Sequence, residues 1–260
     1  MSCRTVYLHG LPGSPAELLL GGEHNSWRDP ALVLAPDRSA IHGERESVLS
    51  CLASQIEQWA QGAPVNLVGF SLGGAIALDL ACVLQDQVHR IDLVAPAAPL
   101  SLGSFLDDMA GGPLFRLAKD RPRSFAVAAL LQGWAARLAP DLLAKALLAD
   151  VRGEDRSLPA SPSFRKMLRM ALKDTFANGP YAYRDEVRHY VMDCGTNLAQ
   201  VNQPLFIWQG EQDNWVPPAM AEALASALPA GANLTLLPGL SHYSALAWFL
   251  NQFSPDGSRR

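Results

Sequence analysis

Six short apolar runs punctuate the chain, at residues 5–8, 32–35, 64–68, 91–95, 204–209 and 233–237. Each is four to six residues long and rich in Val, Ile and Leu, and all but the first are followed directly by Gly or Pro. This pattern predicts core strands. Between most of the runs lie stretches with helical spacing, such as Ala75 to Leu84. Strands separated by helices form parallel sheets, so the expected fold class is α/β with about six mostly parallel core strands flanked by helices.

One connection breaks the alternation. Residues 96–203 separate the fourth run from the fifth, far more chain than a crossover between parallel strands requires. Three helices are predicted inside it, at 123–138, 140–151 and 163–176. In the second, Leu142, Leu143, Ala146 and Leu147 fall on one face. The segment 181–192 reads as the helix that leads back into the strand at Pro204. The division expected is therefore a core of residues 1–97 and 181–260 with a helical insertion at 98–180, and the tail from Ser254 to Arg260 is expected to fray.

The candidate chemistry lies at strand ends. Gly69-Phe70-Ser71-Leu72-Gly73 stands between the third run and a helix. A GxSxG turn between strand and helix crowds the serine into strained backbone and exposes its hydroxyl, with glycines at the two positions where the chain passes closest. A serine hydroxyl is a poor nucleophile without a base, an acid to orient that base, and donors for the oxyanion. His242 follows the last run on the loop Pro238-Gly239-Leu240-Ser241, and Asp213 follows the fifth run. Glu211 is the rival acid, two residues earlier, whereas Asp92 lies inside a strand. The order Ser71, Asp213, His242 is one of three known ways to build a serine triad.

These motifs together resemble the α/β-hydrolase superfamily. His9-Gly10-Leu11-Pro12-Gly13 after the first run resembles its HG loop, Gly210-Glu211-Gln212-Asp213 with Val216-Pro217 its acid loop, and Gly239 with His242 its histidine loop. Asp37-Arg38 with His42-Gly43 resembles a further family turn, slightly stretched, to which no role is assigned. The resemblance implies a catalytic triad of Ser71, Asp213 and His242, with an oxyanion hole made by the backbone N–H groups of Leu11 and Leu72. The first run begins too near Met1 to leave sequence for the family's first two strands. The resemblance covers about residues 3–97 and 181–253; the insertion resembles the helical cap that many relatives carry. Phe105, Met109, Leu114, Phe115, Phe125, Leu130, Leu131, Trp134 and Trp215 are its candidate substrate-pocket residues.

The implied function is a serine esterase or thioesterase acting on a small to medium, largely apolar substrate through an acyl-enzyme. Carbon–carbon bond hydrolysis or lysis on the same triad is the alternative, as is a non-catalytic binding or signalling protein that keeps the fold. Composition narrows the partners. A formal net charge of -4 over 260 residues, 18% of them charged, lacks the clustered positive face that nucleic acid requires. No apolar run is long enough to span a membrane, and the start lacks a secretion signal. Cys3, Cys51, Cys82 and Cys194 are widely spaced and predict reduced thiols in a cytoplasmic protein. His9, His24, His42, His89 and His189 form no metal-binding pattern, so neither metal nor cofactor is expected. The sequence does not fix the oligomeric state.

Overall fold

Each of the six apolar runs forms a strand in the computed structural model, which describes residues 4–22, 25–192 and 196–259. The strands are β1 (Arg4–Leu8), β2 (Val33–Leu34), β3 (Val65–Phe70), β4 (Val88–Val94), β5 (Leu205–Gly210) and β6 (Asn233–Leu237). They make one sheet in the order β2-β1-β3-β4-β5-β6, with every neighbouring pair parallel. All six residues of β3 are buried, because β1 and β4 flank it and helices cover both faces. At the sheet edge, β6 leaves Asn233, Thr235 and Leu236 exposed. β3 runs two residues past its predicted end, pairing Gly69 with Leu93 and Phe70 with Val94. It therefore delivers Ser71 directly from the sheet.

The helices of the alternating pattern are α1 (Arg45–Ala60) and α2 (Leu72–Leu84). Between β4 and β5 stand α3 (Gly112–Asp120), α4 (Pro122–Leu138), α5 (Pro140–Leu147), α6 (Pro162–Thr175) and α7 (Tyr181–Val191). α8 (Pro218–Ala227) and α9 (His242–Gln252) complete the chain. Helix α3 lies outside the predicted set, since it opens on Gly111-Gly112-Pro113, residues that read as a turn; proline at a first helical turn costs nothing because that N–H lacks an intrahelical acceptor anyway. α7 packs against α3 and α4 as well as against the short turn at Arg38–Ala40, so it joins the inserted helices to the sheet side.

The described part of the C-terminal tail, residues 254–259, is not frayed. Pro255 is buried and accepts a hydrogen bond from Thr5 Oγ1, and Phe253 bridges antiparallel to Arg259. Cys51 is exposed and Cys82 half-buried, both as free thiols; Cys3, Cys194 and His24 lie outside the described residues. No metal-binding cluster occurs among the described residues, and no helix there is long and apolar enough to cross a membrane.

Candidate active site

Ser71 stands between β3 and α2 with φ 54° and ψ −126°, a conformation that costs a non-glycine residue on the order of 1–3 kcal/mol. Its surroundings impose it. Ser71 N–H donates to Val94 O at 3.1 Å, while Ala97 and Gly74 N–H donate to Ser71 O at 3.0 and 2.9 Å. A Cβ at Gly69 would stand 2.7 Å from the Gly73 carbonyl oxygen, and one at Gly73 would overlap the Leu8 and His9 carbonyl oxygens. Both glycines of the pentapeptide are thus required by close backbone approach. Leu72 is the first residue of α2, so its N–H has no intrahelical acceptor.

Asp213 and His242 meet. Asp213 Oδ2 faces His242 Nδ1 at 2.7 Å, and both residues are buried. The other oxygen, Oδ1, accepts from Trp215 N–H at 2.8 Å and Val216 N–H at 2.9 Å. With Gln209 Nε2 donating to Oδ2 at 3.5 Å, every lone-pair direction of this carboxylate is used to aim it. Glu211 is exposed, and the Asp92 carboxylate is taken by Arg90 and by Trp208 Nε1. Burial opposes a charged imidazole, but the Asp213 carboxylate, with Asp155 and Glu17 farther off, outweighs it and raises the His242 pKa above its ordinary value. With Nδ1–H given to Asp213, Nε2 is left as the acceptor.

The histidine is anchored by the chain between β4 and β5. His242 opens α9, whose Tyr243 and Ser244 N–H groups donate to the two oxygens of buried Asp155 at 2.9 and 2.8 Å. Beside it, Glu154 N–H donates to Gly239 O at 3.1 Å and Asn214 Nδ2 to Asp150 O at 2.8 Å. Residues 150–155 thus hold both the histidine loop and the acid loop. The His242 ring packs 4.6 Å from Phe70 and 6.1 Å from Trp215, centroid to centroid.

Ser71 opens onto a cavity of about 260 Å³. Leu11, Leu72, Met109, Leu114, Phe115, Leu143, Leu147, Phe176, Val187 and Trp215 give it mainly apolar walls. Five candidate pocket residues stand elsewhere. Phe125 is fully buried on the inner face of α4, and the Phe105 ring is packed over Gly103. Leu130, Leu131 and Trp134 are exposed on α4, at 43%, 58% and 57%.

The model of the alpha/beta hydrolase family matches residues 5–252, almost the whole chain. The chain belongs to this family. Among curated proteins, no sequence matches this one significantly. Solved hydrolase-fold structures match it closely in shape. A bromoperoxidase from Bacillus anthracis is 19% identical, with a TM-score of 0.66 over 96% of this chain and 90% of that one. An enol-lactonase from Burkholderia xenovorans LB400 is 20% identical, TM-score 0.64, over 96% and 87%. A thermophilic esterase from Thermogutta terrifontis is 15% identical, TM-score 0.63, over 95% and 85%. At such identities the likeness is one of fold, and the chemistry must be argued from this chain's own residues.

Two residues near the site of this hydrolase had no role legible in the sequence: Arg38, within the Asp37-Arg38 turn, and Glu17, which belongs to no motif. Arg38 Nη2 donates to His9 O at 2.9 Å while its guanidinium pairs with Glu186. Glu17 accepts from Gly10 N–H at 3.0 Å. Both brace the HG loop from below, and only spatial proximity reveals them. His9 itself is neutral, since burial and then the Arg38 charge push its pKa well down; its Nδ1 faces Gly10 O at 2.8 Å.

Proposed function

We propose that this protein is a serine hydrolase that cleaves a carboxylic ester or thioester of a small to medium, largely apolar acid through an acyl-enzyme on Ser71. The observation that carries this reading is an aimed Asp213–His242 couple whose imidazole packs 4.6 Å from Phe70, the residue next to a strained, backbone-locked Ser71 that lines an apolar cavity. His242 Nε2 takes the Ser71 Oγ proton as Oγ bonds to the carbonyl carbon. The resulting oxyanion is received by the Leu11 and Leu72 N–H groups, the second of them strengthened by the N-terminal end of α2. His242 then returns the proton to the leaving oxygen or sulfur, the acyl–Oγ bond is left, and water repeats the steps in reverse roles to release the acid.

In this reading the helices of residues 98–180, together with α7, act as the cap over Ser71. They exclude water and shape the acyl site. The enzyme acts on a small molecule in the cytoplasm. The cavity stands just below the ~300–1,000 Å³ range of pockets that enclose drug-sized ligands, which favours a compact acyl group. Hydrolysis of p-nitrophenyl esters should therefore peak at acyl chains of roughly four to eight carbons and fall at least about tenfold by sixteen, on the volume argument above. Equal, weak rates at every length would remove the acyl pocket from the account.

A further inference from the structure

Glu17 is a carboxylic acid sealed in the protein, 1% exposed, on the turn Pro15–Gly21. Its Oε2 accepts from Tyr7 Oη at 2.7 Å and from Gly10 N–H at 3.0 Å. Its Oε1 has no partner among the described residues. Room for that oxygen exists only because residue 13 is glycine, where a Cβ would overlap Oε1 and lie 2.6 Å from Gly10 O. Burial pushes the pKa of Glu17 up to about 7 against the pull of Tyr7, Gly10, Arg38 and His242. As a contributor to stability this is a poor choice, because an apolar side chain of similar size would escape the desolvation cost.

Its geometry serves the HG loop instead. The carbonyl of Gly10 is held from the other side by His9 Nδ1 at 2.8 Å and Arg38 Nη2 at 3.5 Å. Gly10 O and Leu11 N–H belong to one planar trans peptide and point in opposite directions. Fixing Gly10 at its N–H and its carbonyl therefore fixes where Leu11 N–H points. We propose that Glu17 is a positioning residue that, through Gly10, aims the Leu11 N–H at the reacting carbonyl oxygen. This inference rests on the acyl-transfer reading above, in which Leu11 supplies an oxyanion donor.

The test compares Glu17→Gln with Glu17→Met in the full chain, measuring kcat and KM on the best p-nitrophenyl ester, with melting curves alongside. Glutamine keeps an acceptor at the Oε2 position, so its kcat should stay within about threefold of the parent; methionine has none and should lower kcat by about 10- to 100-fold with KM changed less than about threefold. If the methionine chain does not fold, Glu17→Asp, whose carboxylate is drawn back by one methylene, should show the same kcat-selective loss. A folded Glu17→Met chain with unchanged kcat overturns the proposal, as does a loss in KM alone or equal losses in the glutamine and methionine variants that follow their melting temperatures. Ser71→Ala separates this from the parent reading: full turnover by that variant defeats acyl transfer at Ser71 itself, whereas its inactivity beside a fully active Glu17→Met defeats only the role of Glu17.

Discussion

Asp213→Asn should lower kcat on an activated ester by about 10³- to 10⁴-fold with little change in KM, as expected when a triad acid loses its charge but keeps its shape. The asparagine amide would present a donor toward His242 Nδ1, which is now 2.7 Å from a carboxylate oxygen. The imidazole would then carry its proton on Nε2, the nitrogen that must accept from Ser71. The same substitution has a second signature in pH. Burial opposes the charged form of His242, but Asp213 supplies the first of the opposing pulls and the net shift is upward, so the acid limb of kcat/KM in the parent should lie above the ordinary histidine pKa. Removing the carboxylate should shift the residual activity's acid limb to lower pH. Steady-state kinetics from pH 5 to 9 read both effects, with Glu211→Gln as the control expected to behave like the parent because Glu211 is exposed. The reverse pattern would transfer the role to Glu211.

Gly73→Ala should be among the most damaging single-methyl changes in the described residues. The added Cβ would overlap the carbonyl oxygens of Leu8 and His9, backbone atoms at the end of β1 that cannot rotate away. We expect a loss of roughly 3 kcal/mol or more in chemical denaturation, at or beyond the upper end of overpacking penalties, with activity lost in whatever fraction folds. Gly231→Ala is the control. Nothing lies within 4 Å of its Cβ position, and only its φ of +76° resists the change, so the cost there should be near 1 kcal/mol. Equal effects at the two sites would mean that close approach at the turn is unimportant.

The strands were legible as short apolar runs, most simply at the sheet centre, where every residue of β3 is buried; the edge strand β6, with Asn233, Thr235 and Leu236 exposed, was legible from Leu234, Leu236 and Leu237 despite its polar positions. The strand ends were less so, since Gly69 and Phe70 read as turn while still pairing with Leu93 and Val94. The proximity of Asp213 to His242 could be anticipated from where each loop leaves its strand, because parallel strands put all such loops at one edge of the sheet. The cavity walls could not. Helix α4 is apolar on two sides: Phe125, Ala129, Gly133 and Ala136 face inward, while Val127, Leu131, Trp134 and Leu138 face solvent. Periodicity finds both stripes without saying which one meets the substrate. Nor could spacing reveal Asp155 or Glu17, whose partners lie on chain brought to them only by folding.

The account depends on Ser71 being the nucleophile, and the most direct measurement is intact mass after treatment with a fluorophosphonate. The native chain should gain one phosphonyl group, mapped by peptide sequencing to Ser71, while Ser71→Ala, equally folded, should gain none. A native chain that stays unlabelled while folded, or a Ser71→Ala chain that labels at the native rate, would contradict it.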